Sequence, residues 1–163
     1  MTKKQFNEMS RVQIPGILHL MKLGYNFIPK NKVEEIKDPE NNILIPVLKE
    51  QFLKLNPTAT EKDFNDEYKD ITTELTNNDL GREFFNRIQN KGNSKFKFID
   101  WDNWDTNILQ VSYEIPCKNG DDEFRPDATI FVNGMPLAYI EFKKPNAIRN
   151  GQTGMRSEFL RMN

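Results

Sequence analysis

Apolar and polar positions fall into two periods along this chain, helical in the first half and alternating in the second. Pro15 fits an opening helical turn, where its missing N–H costs little, and Ile17, Leu18, Leu20, Met21 and Leu23 follow until Gly24 offers a stop. Asn26 to Asn42 is polar and carries Pro29 and Pro39, which reads as a loop with a short strand near Phe27. Pro46 opens a second helix to about Leu55, with Val47, Leu48, Gln51, Phe52 and Leu55 on one face. Thr60 caps a third, Asp63 completing a capping box, and Phe64, Tyr68, Ile71 and Leu75 follow at helical spacing. Asn78 or Asp79 starts a fourth, with Leu80, Phe84, Phe85 and Ile88 apolar and Gly92 at its end.

From Lys95 onward the pattern predicts strands. Lys95-Phe96-Lys97-Phe98 alternates, as a half-buried strand with a charged outer face does. Trp101 to Asp105 is loop-like, Asn107 to Ile115 is a further strand, and Lys118-Asn119-Gly120 turns the chain back. Two apolar runs, Ala128 to Val132 and Leu137 to Phe142, then flank Asn133-Gly134, the strongest short-range hairpin signal a sequence offers. A last helix is expected from about Gly151 to Arg161. The predicted architecture is α/β (α+β): a small mixed sheet with an antiparallel hairpin, flanked by helices.

Composition narrows the class. At 163 residues the chain is expected to form one domain, long enough to bury an ordinary core, and 37% hydrophobic with 29% charged residues marks a globular chain. The single Cys117 excludes an internal disulfide and a cysteine metal cluster. The single His19 removes Ser-His and Cys-His nucleophile schemes. Without an apolar leader or a membrane-length run, the expected location is the cytoplasm. No Gly-x-x-x-x-Gly-Lys loop occurs, so the chain binds no ATP by that route. A net charge of -1 argues against tight nonspecific DNA binding by this chain alone.

The charged residues of the hairpin are few and oddly placed. Asp127 opens its first strand, and Glu141 and Lys143 close the second on either side of Phe142. Residues two apart on a strand share a face, so Glu141 and Lys143 project together while Phe142 points to a core. A two-residue turn would pair Val132 with Met135 and turn Asp127 the wrong way. A three-residue loop, Val132-Asn133-Gly134, with a G1 bulge at Gly134 pairs Phe131 with Met135 and Asp127 with Tyr139. Asp127 then shares a face with Tyr139, Glu141 and Lys143. The chemistry predicts that register or another of the same parity. Two carboxylates held close repel unless a cation lies between them. Asp, Glu, a backbone carbonyl and waters suit Mg²⁺ or Mn²⁺. With Lys143 beside the ion, that is a recipe for phosphodiester hydrolysis.

Asp, a short loop, then Glu-x-Lys on the next strand resembles the PD-(D/E)xK nuclease site. Arg125-Pro126-Asp127, Phe131-Val132-Asn133-Gly134, Pro136-Leu137 and Ile140-Glu141-Phe142-Lys143-Lys144-Pro145 more closely resemble the N-terminal endonuclease domain of the restriction subunit (HsdR) of type I restriction enzymes. The resemblance implies a restriction-endonuclease-like core in which Asp127 and Glu141 bind the metal, the Phe142 carbonyl adds a ligand and Lys143 is the catalytic lysine. Relatives often add an acid from an early helix, which makes Glu50 a candidate extra ligand. Many carry a Gln followed four residues on by a Tyr; here Gln152 is followed by Arg156, so the role of Gln152 is open. The resemblance further implies double-stranded DNA as substrate, partnership with methylation and specificity subunits, and ATP use only through motor domains absent here. The chain is therefore expected to be an N-terminal fragment of a longer protein. An inactive docking module of the same assembly, and a freestanding repair nuclease, are the alternative readings.

Overall fold

Asn133 and Gly134 both take positive φ, 51° and 83°, which is the type I′ geometry that closes a hairpin over two residues. In this computed structural model, which describes residues 12–77, 79, 81–91 and 95–143, that hairpin is the centre of the molecule. Its strands are β5 (Ala128–Val132) and β6 (Met135–Ile140). On the far side of β5 runs β2 (Leu109–Tyr113), antiparallel, and beyond it β1 (Asn26–Phe27), parallel, so the sheet order is β1-β2-β5-β6. β3 (Cys117–Asn119) and β4 (Asp122–Phe124) form a separate ribbon between β2 and β5 instead of extending the meander.

Five α-helices pack around the sheet among the described residues: α1 (Ile14–Lys22), α2 (Lys30–Ile36), α3 (Ile45–Leu55), α4 (Glu61–Leu75) and α5 (Arg82–Ile88). The result is the mixed α/β architecture that the hydrophobic pattern predicts. α4 begins as its sequence dictates: Asp63 N–H donates to Thr60 Oγ1 and Thr60 N–H to the Asp63 carboxylate. α3 carries Leu48 and Phe52 into a core shared with Phe64 and Ile71 of α4, Ile88 of α5, and Val132 and Met135 of the hairpin. The N-terminus of α3 abuts the hairpin turn, where Leu44 N–H donates to Gly134 O at 2.8 Å. An added Cβ at Gly134 would lie 2.7 Å from Leu44 O and 2.9 Å from Leu48 N, so this turn needs glycine for close approach as well as for its φ.

Several expectations are corrected. The stretch after Phe27 is not only loop: α2 forms there, with Val33 fully buried, because Pro29 stands at the N-cap, ahead of the helix, where it breaks nothing. α5 starts at Arg82, not Asn78 or Asp79, because Gly81 takes φ 73°; Asp79 instead accepts from the N–H groups of Gly81 and Glu83. Lys95 to Phe98 is no strand. The Asn56 side chain captures this segment's backbone, accepting from Lys97 N–H and donating to Lys97 O, in place of a ladder. The helix expected from Gly151 to Arg161 lies outside the described residues.

The hairpin register is corrected in its mechanism. The turn has two residues and pairs Val132 with Met135 and Phe131 with Pro136, as the unfavourable alternative requires. A bulge between Ile130 and Phe131 then shifts the pairing, so that Ile130 meets Ala138 and Ala128 meets Ile140. The bulge restores the parity that the tight turn took away. Continued one step, this register sets Asp127 opposite Glu141.

Candidate active site

Asp127 stands at a bend just before β5, where its backbone carbonyl accepts from Glu114 N–H. Its carboxylate replaces a ladder partner for the strand beyond β6: Oδ2 accepts the Phe142 N–H at 2.6 Å. Oδ1 accepts from Gln13 Nε2 at 2.5 Å. The carboxylate is thereby seated on the peptide that joins Glu141 to Phe142. Lys143 Nζ lies 4.0 Å from Glu141 Oε2, as two residues projecting to one side allow. Those side chains are 66% and 49% exposed, so the pair is worth little in the folding balance and stays accessible to a ligand.

Phe142 points the other way. Its half-buried ring joins Ile17, Val111, Ala128 and Ile140 beneath α1. It lies directly over Gly16, where an added Cβ would collide with the ring. α1 therefore holds this end of the site twice, through Phe142 packed on Gly16 and through Gln13 bonded to Asp127. The site sits at the end of β6, an edge strand, and opens to solvent.

The hairpin thus gathers Asp127, the Glu141–Phe142 peptide and Lys143. It does not gather Glu50, which is exposed on α3. That helix packs its first turn on the Gly134 end of the hairpin, the end opposite Asp127 and Glu141. Gln152 lies outside the described residues. Among the described residues no group of three or more His, Cys, Asp and Glu side chains is assembled for a metal. Two concavities, of about 350 Å³ beside Phe27 and Tyr113 and about 660 Å³ beside Asn42 and Tyr139, involve none of the hairpin's charged residues.

Two nearby groups are structural. Burial pushes the Tyr139 phenol upward, with Cys117 adding to the shift, and burial likewise raises the Cys117 thiol. Neither is a proton donor or nucleophile matched to neutral pH. Gln13 is the residue that the sequence reading passes over. The available signal is a polar residue one helical turn before Ile17, in line with the stripe that α1 buries.

A mixed α/β domain built on a small sheet with antiparallel strands is consistent with a nuclease-like core. Sequence comparison gives the family: residues 5–159 match the model of the type I restriction enzyme R protein N terminus, and the chain belongs to that family. It is 31% identical over 156 residues to a Methanocaldococcus jannaschii protein named as the MjaVIIIP type I restriction enzyme endonuclease subunit, covering 83% of this chain and 15% of that one. It is 26% identical over 179 residues to the protein named as the MjaIXP endonuclease subunit of the same organism, covering 97% of this chain and 17% of the relative. The chain thus spans only a small part of the length of these curated relatives. No solved structure matches it. No helix among the described residues is long and apolar enough to cross a membrane.

Proposed function

We propose that this domain is the Mg²⁺-dependent endonuclease of a type I restriction-modification system, hydrolysing phosphodiester bonds of double-stranded DNA. One observation carries the reading: the Asp127 carboxylate is seated on the Phe142 amide, beside Glu141 and Lys143, at an open sheet edge. The donors within reach are carboxylates and amide oxygens, with no thiolate or imidazole among them, which suits a hard cation. Mg²⁺ is commonly held by only one or two carboxylates and keeps several waters, so it does not require the group of three acids that is not found among the described residues. Mn²⁺ accepts the same oxygens. When bound, such an ion supplies a Lewis acid for the phosphate and lowers the pKa of water.

Asp127 and Glu141 are the residues that would hold it. The Phe142 carbonyl is the backbone oxygen proposed to join them, from the residue whose N–H the Asp127 carboxylate already accepts. Lys143 orients the attacking water and meets the phosphate charge, exchanging its weak solvent-exposed pairing with Glu141 for the substrate. A net charge of -1 argues against a tight nonspecific grip on duplex DNA by this chain alone. That grip is assigned to the methylation and specificity subunits and to ATP-driven motor domains in the parent assembly.

Cleavage of supercoiled plasmid by the protein expressed from its native reading frame, with its partner subunits and ATP, tests this reading. Chelation of Mg²⁺ before addition of DNA is expected to stop nicking, and excess Mg²⁺ to restore it. Unchanged nicking in chelator overturns the metal dependence; no nicking in any condition by a folded protein favours the docking-module alternative.

A further inference from the structure

Gln13 has surroundings that packing alone does not explain. It precedes α1 on the side turned to the sheet and is only 8% exposed. Nε2 donates to Asp127 Oδ1, yet Oε1 of the same amide is buried and has no hydrogen-bond partner among the described residues. A buried amide oxygen with no donor is costly, and native structures rarely keep one without a water, an ion or a function to explain it. Turning the amide over gives no relief, because Oε1 would then meet the Asp127 carboxylate, acceptor against acceptor. An apolar side chain of the same length would fill the space beneath α1 without that penalty. A lone amide oxygen can be satisfied by a hydrogen-bond donor, a water or a cation, and of these only a cation also answers the charge of the adjoining carboxylate.

Resting on the reading of Asp127 and Glu141 as cation ligands, we infer that Gln13 belongs to the same cation site, its Nε2 fixing the Asp127 carboxylate and its Oε1 giving the divalent ion's shell a neutral oxygen. The donor count supports this. Among the described residues no three His, Cys, Asp or Glu side chains are grouped for a metal, and hard cations accept amide oxygens alongside carboxylates. The same contact links α1 to the hairpin over 114 positions of sequence, so the cation would tie the first helix to the catalytic strands.

The test is calorimetric titration of Mn²⁺ into wild type, Gln13→Met and Gln13→Glu, with circular dichroism confirming the fold of each. Met keeps length and bulk but removes both amide groups, whereas Glu keeps an oxygen donor and adds charge. The expected result is a loss of about 10-fold to 100-fold in Mn²⁺ affinity for Gln13→Met. Gln13→Glu is expected to bind at least as tightly as wild type and to gain at least as much thermal midpoint from Mn²⁺. Both variants binding within about twofold of wild type, well short of that range, overturns the inference and leaves the Asp127–Glu141 reading standing. If Gln13→Met fails to fold, Gln13→Glu decides alone, and weaker binding than wild type overturns the inference. A folded wild type that binds no Mn²⁺ removes both readings together.

Discussion

Asp127→Asn is expected to lower DNA cleavage by roughly a thousandfold or more while changing the stability of the domain by no more than about 1 kcal/mol. The two effects share one cause. The substitution preserves shape, and the Asn oxygen still accepts the Phe142 N–H, so the end of β6 keeps its anchor. It removes the charge that draws a cation to the site. It also sets an N–H₂ group toward Gln13, whose amide can turn to accept from it; the turn pairs Oε1 but leaves Nε2 where Oε1 stood, so one orphaned polar atom is exchanged for another. With one orphan exchanged for another, the expected change in stability is within about 1 kcal/mol, which for a domain of this size keeps the melting midpoint within about 2–4 °C of wild type. The check is a nicking assay beside a thermal melt of the same preparation. Cleavage within about tenfold of wild type would remove Asp127 from the chemistry, since lost electrostatic contacts of this kind cost more. A melt lowered by several degrees would show that its carboxylate is chiefly structural.

Asn133→Ala is expected to cost about 3–5 kcal/mol, among the largest single-residue effects in the fold. Asn133 is fully buried and sits at φ 51°, a region an Asn tolerates better than an Ala. Its side chain ties three segments: Oδ1 accepts Ile108 N–H at 2.7 Å, and Nδ2 donates to Phe98 O and Asn107 Oδ1, each at 2.8 Å. Truncation strands those buried partners at about 1–3 kcal/mol each, before relaxation recovers part of the loss. Urea unfolding measures the total. Asn133→Gly separates the causes, because glycine accepts the left-handed backbone but makes no side-chain bond; it should recover about 1 kcal/mol of the deficit. An alanine variant within about 1 kcal/mol of wild type would contradict this account of the turn.

Much of the fold was legible where local chemistry decides the outcome. The Thr60–Asp63 box, the helical stripe of Leu48 and Phe52, and the Asn133-Gly134 turn are each specified by a few neighbouring residues. Tertiary partners decided the rest. Lys95 to Phe98 has a strand's alternation, yet Asn56 takes its backbone groups from across the core. α2 is too short and too polar for its period to stand out, with Val33 its only fully buried residue. The parity of Asp127 with Glu141 was predictable from the chemistry they share. The device that achieves it, a tight turn corrected by a bulge, leaves no mark that a two-residue period would reveal. Glu50 lies exposed on α3, whose first turn meets the Gly134 end of the hairpin, and a helix face in sequence does not tell which end of a hairpin it will meet. Gln13 was passed over because its partner is 114 positions away.

The central claim is that Asp127 and Glu141 hold a divalent cation, and Mn²⁺ titration into wild type and Asp127→Asn by calorimetry tests it most directly. The account predicts saturable binding by wild type, lost in a variant whose circular dichroism is unchanged. Equal binding by both proteins, or none by a folded wild type, would contradict it.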